Sequence, residues 1–244
     1  YAVGGKEEPR PFHFARCDEC SSLLFPNMEW LSRFSYGKCF EVSETKDTRT
    51  RTLDNLPELP LEKIDAIKID SQGMEMPILL AAQKVLSHAF FLEIETGMQA
   101  NYHDETTFDQ IAPFLREKGF ICMQFRTQPS QARANKGKNW KGNKGQPMAC
   151  ESIWLKDFVS ARTNRVSEEK ALRCMALCAM FEFYDFGLEL SDYFLHSKSI
   201  QKKAYDSLQK EDYWHFQSEP NPPKFAYLLS HLSHFLPSPM RQDL

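Results

Sequence analysis

No apolar run in the 244-residue chain is longer than Cys174–Phe181, far short of the roughly 18–20 residues that span a bilayer. No basic segment followed by an apolar one opens the sequence, so it shows no signal peptide. Net charge is scant. Thirty Lys and Arg against 33 Asp and Glu leave −3, which excludes the global basic field that draws proteins to nucleic acid. Glycine is sparse, with 10 residues, and none forms a dinucleotide fingerprint. Gly137–Lys144 superficially suggests a phosphate loop, but Asn143 follows the second glycine and no Ser or Thr follows Lys144. The seven cysteines are odd in number and irregular in spacing. They read as reduced thiols of a cytoplasmic protein, not a disulfide framework. Cys17 and Cys20 form a C-x-x-C with no second pair nearby, so no metal is expected there. Cys174 and Cys178 sit four apart on a helical stretch and read as small buried apolar side chains.

What is present is ordinary for a globular protein: 42% apolar and 26% charged residues. In residues 1–60, Phe40–Ser43 and Thr48–Leu53 alternate as half-buried strands do. The middle is more informative. Ile64–Asp70 reads as a strand, Met74–Leu86 as a helix with Pro77 in its first turn, and Ala89–Glu95 as a second strand. Phe108, Ile111, Phe114 and Leu115 mark another helix, ended by Lys118-Gly119. Phe120–Phe125 and Glu151–Leu155 are further strands. This βαβαβ order predicts an α/β fold with an open, largely parallel sheet. Glu168–Leu195 is strongly helical, and shorter helices are expected at Ser197–Leu208 and Phe225–Phe235. Two domains follow, 1–158 and a helical extension at 159–244. Arg126–Lys144 carries six basic residues and no acid. It is expected as a mobile arm that attracts an anionic substrate.

Ligands of open α/β sheets bind beyond the carboxyl ends of the strands. Two places qualify: Asp70-Ser71-Gln72-Gly73-Met74-Glu75 and Glu93-Ile94-Glu95-Thr96-Gly97. Gly73 permits a tight turn. Lys68, inside an Ile-rich strand, is expected to be buried and therefore paired with Asp70, Glu93 or Glu95.

The run Ile67-Lys68-Ile69-Asp70-x-x-Gly73-x-Glu75, followed by a helix and Leu92-Glu93-Ile94-Glu95, resembles the FkbM family of S-adenosylmethionine-dependent methyltransferases. Tyr1-Ala2-Val3-Gly4 is similar to the end of the family's third strand, Ser21-Ser22-Leu23 to its serine pair, and Thr52-Leu53-Asp54 to the segment before the Lys-Ile-Asp strand. The resemblance covers about residues 1–157. It implies the C-terminal part of a Rossmann-like class I methyltransferase sheet, with a helical extension beyond it. It also implies O-methylation of a hydroxyl on a sugar or other secondary metabolite. Asp70 would act at the methyl-transfer site, with Glu95 or His103 as a second proton acceptor. Asp70, Gly73, Ser21 and Ser22 would meet the cofactor, and Glu75, Lys68 and Glu93 the substrate. The acceptor is expected to be a small molecule or glycan, with an anionic one suited to the basic arm.

Two departures stand out. Gln72 occupies a position where the family usually has Glu. The family's Asp-x-Gly-x-Asn-x-Gly turn is missing from the chain, as is the acid that would hold the ribose. With Tyr1 in place of an initiating Met, this reads as an N-terminally truncated methyltransferase whose 244 residues alone bind cofactor weakly or not at all. A non-catalytic interaction module derived from the same fold is the alternative. A nucleotide-dependent oxidoreductase is a weaker one.

Overall fold

The computed structural model describes residues 2–57, 60–134, 144–160 and 166–194. The chain divides into two compact units, Tyr1–Asp157 and Phe158–Leu244. The first is mixed α/β with two sheets. In the smaller sheet, β1 (Ala2–Val3) pairs parallel with β3 (Val42–Arg51), and β3 pairs antiparallel with β2 (Pro9–Ala15). The two expected short strands within 40–53 are thus one long strand.

The larger sheet has the order β4 (Ala66–Ile69), β5 (Phe91–Gly97), β7 (Ala149–Lys156), β6 (Phe120–Thr127). Within it, β4 and β5 pair in parallel, whereas β7 runs antiparallel to both β5 and β6. The largely parallel sheet expected from the element order is therefore corrected. β6 and β7 follow one another without a helix between them among the described residues, so the chain returns as a hairpin. β7 then slots between β5 and β6, whose own connection runs through α4 (Phe108–Glu117).

One face of this sheet is the core. Leu92, Ile94 and Trp154 are completely buried and cluster with Ile78 and Leu79 of α2 (Glu75–Leu80), Val85 and Leu86 of α3 (Gln83–His88), and Ile111 and Leu115 of α4. Each such side chain contributes about 1.5–3 kcal/mol. The indole Nε1 of Trp154 is satisfied by Ser152 Oγ at 2.9 Å. α4 begins with a capping box between Thr107 and Gln110 and stops at Gly119, whose φ of +82° suits glycine.

The single helix expected over Met74–Leu86 is two. The α3 amides of Lys84 and Val85 are claimed by the Asp54 carboxylate at 2.8 and 2.9 Å. This side-chain cap starts a new helix where the old one would have continued.

The basic stretch is partly anchored, against expectation. Arg126 belongs to β6. Arg133 packs over Phe34, with its guanidinium carbon 4.2 Å from the ring centroid, and donates to Gln146 Oε1 at 2.6 Å. Gln131 and Gln146 bridge across the arm. Its segment 135–143 lies outside the described residues.

In the second unit, the run expected as one helix is α5 (Glu168–Met180) and α6 (Tyr184–Phe194), broken where Glu182 takes φ +63°. Cys174 and Cys178 are fully buried. A Cβ added at Gly187 would stand 3.2 Å from Cys178 Cβ, so glycine and a small thiol let the two helices approach closely. The helices expected after residue 195 lie outside the described residues. Among the described residues, no helix is long and apolar enough to cross a membrane.

Candidate active site

At the carboxyl end of β4 the chain turns through Ser71–Met74. Gln72 has φ +52° and Gly73 φ +100°, a conformation that only glycine adopts cheaply. Glu75 folds back over this turn. Its Oε1 accepts from Ser71 N–H at 3.0 Å, Ser71 Oγ at 2.8 Å and Gly73 N–H at 3.1 Å. Its Oε2 is buried and has no partner. Burial raises the Glu75 carboxyl above its usual range.

Gln72 is fastened on three sides. Its carbonyl accepts from Ser22 Oγ at 2.6 Å, its Nε2 donates to Asp70 Oδ1 at 2.7 Å, and its Oε1 receives the Tyr102 hydroxyl at 3.1 Å. A Glu here, the residue usual in the FkbM resemblance, could not donate to Asp70 when ionised.

The second strand end lies beside the first. After Gly97 the chain loops back, and the buried Glu105 gathers that loop. Its Oε2 accepts from Asn101 N–H at 2.6 Å and Tyr102 N–H at 3.0 Å. A Cβ on Gly97 would meet Glu105 Oε1 at 2.3 Å, so glycine is required for this approach. Asn101 Nδ2 donates to Met148 O at 3.3 Å, while its buried Oδ1 has no partner.

Asp70, Gln72, Gly73, Glu75, Glu95, Gly97, Asn101, Tyr102 and Glu105 line one small cleft of about 20 Å³. That volume suits a group about the size of one water. Its lining holds four carboxylates and no basic side chain. The Glu95 carboxyl is held above the ordinary range by burial and by the like charge of Asp70. Burial pushes Glu105 up to about 7, and Glu75 adds like charge.

Of the residues singled out from sequence, Asp70, Gly73, Glu75 and Glu95 meet in this cleft. Ser21 and Ser22 do not line it. Ser21 Oγ accepts from Ala15 N–H at 3.0 Å, and Ser22 Oγ braces the Gln72 carbonyl and accepts from Leu24 N–H. Lys68 is not buried. Its side chain is 63% exposed, because the strand alternation turns it to the face of β4 opposite the buried Ile69, and it pairs with Glu93 at 2.5 Å across the β4–β5 register. Lys68 draws the Glu93 carboxyl below its usual range, while the neighbouring Glu151, hydrogen-bonded to Glu93, is raised. Neither Lys68 nor Glu93 lines the cleft. His103 is exposed and stacks on Phe25 with ring centroids 6.5 Å apart.

Sequence reasoning missed Asn101, Tyr102 and Glu105. Their one signal is a glycine at a strand end followed, within a few residues, by an Asn and a Glu. Among the described residues, no group of three or more His, Cys, Asp or Glu stands in an arrangement that would hold a metal ion.

The Glu105 shift carries a sign. The folded chain keeps a proton there that the unfolded chain releases near an ordinary 4.5. Stability from this group is complete below that pH and is lost as pH rises to about 7, by up to about 3 kcal/mol. Urea unfolding is expected to give a lower midpoint at pH 8 than at pH 5, with Glu105→Gln flattening the difference. An unchanged slope in that variant would assign the pH dependence elsewhere.

Residues 1–122 match the family model described as the methyltransferase FkbM domain. No curated protein and no solved structure matches the chain.

Proposed function

The chain belongs to the methyltransferase FkbM domain family, and from that premise we propose that it serves S-adenosylmethionine-dependent O-methylation of a sugar or another small hydroxylated metabolite. The observation that carries this reading is the convergence of the Asp70–Glu75 turn and the Glu95–Gly97 strand end in one acceptor-rich cleft. Glu75 Oε2 and Asn101 Oδ1, both buried and without partners, offer only acceptor atoms. With Asp70, Glu95 and Glu105 also lining the cleft, they suit a positively charged, methyl-sized group. The residues present therefore fit the methyl-bearing end of the cofactor. The glycine-rich turn that the family uses for the remainder does not occur among the 244 residues.

When bound, the cofactor would supply a methyl group on a cationic sulfur, the electrophile for in-line displacement by an acceptor oxygen. The chain's own residues align that oxygen and take its proton. Asp70, exposed at the strand tip and steadied by Gln72, receives the acceptor hydroxyl. Glu95 is the proton acceptor, because its raised carboxyl makes it a stronger base than a free glutamate. Glu105 is a positioning residue that holds the Asn101–Tyr102 backbone over the cleft. The parallel β4–β5 pair with β7 inserted antiparallel beside it supports reading the sheet as the C-terminal part of a Rossmann-like class I methyltransferase sheet.

The test is incubation with methyl-labelled S-adenosylmethionine and a panel of sugars and polyhydroxylated metabolites, followed by mass spectrometry. One labelled methyl on a hydroxyl oxygen is the expected product. Label on nitrogen or carbon acceptors alone would overturn the O-methylation reading.

A further inference from the structure

Three thiols converge at the connected end of the β2–β3 pair, where the chain leaves β2 and returns to β3. The antiparallel ladder continues past the bulge at Phe14/Ala15. Arg16 N–H donates to Glu41 O at 2.8 Å, and Cys17 N–H donates to Cys39 O at 3.0 Å. This places Cys17 across from Cys39 on neighbouring strands. Cys20 turns back so that its N–H donates to Cys17 O at 2.9 Å. All three are free thiols, and Cys17 and Cys39 are only partly buried, so a small reagent reaches them. Among the described residues the trio does not count as a metal-binding arrangement. What remains is a cross-strand pair of partly exposed free thiols whose backbones are hydrogen-bonded.

We propose that Cys17 and Cys39 form a reversible disulfide, closed by exchange with a low-molecular-weight disulfide and reopened by a low-molecular-weight thiol. The Cys17 thiolate attacks one sulfur of the reagent, the reagent's S–S bond breaks, and its first thiolate leaves. The Cys39 thiolate then attacks Cys17 Sγ, forming the protein disulfide and expelling the second reagent thiolate. Two protein thiols lose two electrons and two protons. The reagent gains them and becomes two thiols.

The pair reaches the cleft through the Cys17–Cys20 turn and the Tyr102 hydroxyl, which is shared between two acceptors. Cys20 O accepts the Tyr102 hydroxyl at 2.9 Å, and the same hydroxyl reaches Gln72 Oε1 at 3.1 Å. Gln72 Nε2 in turn holds Asp70. A hydroxyl has one proton, so Tyr102 serves Cys20 or Gln72 at any instant. Closing the disulfide moves the Cys17–Cys20 turn and changes that choice. The charged and titratable groups facing Cys17 are Cys39, Glu19 and Arg16. Cys39, burial and Glu19 together hold its thiol above the usual range, and Arg16 opposes them. Burial raises Cys20 to about 12, and its backbone turns back on Cys17 O and does not lie across the strand pair from Cys39.

The experiment exposes the full chain to oxidised glutathione, quenches with an alkylating agent, and maps peptides without reduction. The formation of the disulfide is read from peptide mass and stands or falls apart from methyl transfer. The expected product is a Cys17 peptide joined to a Cys39 peptide, two hydrogens lighter than the free pair and restored by dithiothreitol. The exposed Cys122 should carry glutathione only. Cys39→Ser should strand Cys17 as a stable glutathione adduct, and Cys20→Ser should leave the Cys17–Cys39 bond in place. The rate should climb by up to about tenfold per pH unit between about pH 7 and 9, as the thiolate fraction grows. In the oxidised chain, amide exchange at Gln72 and Tyr102 should change severalfold. Recovery of Cys17 and Cys39 as alkylated thiols, or of Cys17 joined to Cys20, overturns the site. Unchanged amide exchange overturns its link to the cleft.

Discussion

Asp70→Asn is expected to slow methyl transfer by about 10²–10⁴-fold, the range for loss of a positioned acid–base group, with the fold intact. Asp70 is exposed at the tip of β4, and its described hydrogen bond is the one it accepts from Gln72 Nε2 at 2.7 Å. An asparagine oxygen accepts that bond equally well, so the turn keeps its shape. Stability should stay within about 0.5 kcal/mol of wild type. What is lost is the negative charge facing the acceptor hydroxyl, together with the like charge that raises Glu95. The pH–rate profile should therefore shift its acidic limb downward in whatever activity remains. A variant that keeps most of its turnover would make Asp70 a structural turn residue and leave Glu95 to carry the chemistry.

Gly97→Ala is expected to destabilise the first unit by about 3 kcal/mol or more, at the upper end of overpacking costs. For a chain of this size that lowers the melting temperature by about 6–12 °C. The new Cβ would sit 2.3 Å from Glu105 Oε1 and 2.7 Å from the backbone oxygen of Gln99. Neither can retreat cheaply. The Glu105 carboxylate is fixed by Asn101 and Tyr102, and releasing it leaves a buried acid without its donors. Gly119→Ala is the control. Nothing lies within 4 Å of its added Cβ, and only its φ of +82° resists substitution, at about 1–2 kcal/mol. Equal losses in the two variants would mean that Glu105 and Gln99 yield to the new Cβ, so that the Glu105 clasp does not decide the cost at Gly97.

Elements with local signals are legible in the amino-acid sequence. Alternation and Ile content mark β4, and the Phe108–Leu115 spacing with Lys118-Gly119 marks α4 and its stop. The Asp70-x-x-Gly73-x-Glu75 run at a strand end locates half of the cleft. The rest depends on partners distant in sequence. Asp54 caps α3 from about 30 residues upstream, which no helical periodicity within Met74–Leu86 betrays. The antiparallel insertion of β7 is decided by how the chain returns after β6, not by the composition of β7 itself. Lys68 reads as buried because its neighbours are apolar, but strand alternation turns it to the face of the sheet that is open to water. Glu105 bonds to backbone amides, and a backbone amide leaves no mark in a sequence. Cys39 meets Cys17 only because the β2–β3 hairpin folds them together.

If the methyl donor's reactive end sits between the two strand ends, amide chemical-shift mapping will find it there. The isotope-labelled chain is titrated with S-adenosylmethionine into the millimolar range. Saturable shifts at Gly73, Gly97 and Asn101, the backbone positions around the unpartnered Glu75 and Asn101 oxygens, are the predicted result. Shifts confined to other parts of the chain, or none at the highest concentration, would contradict it.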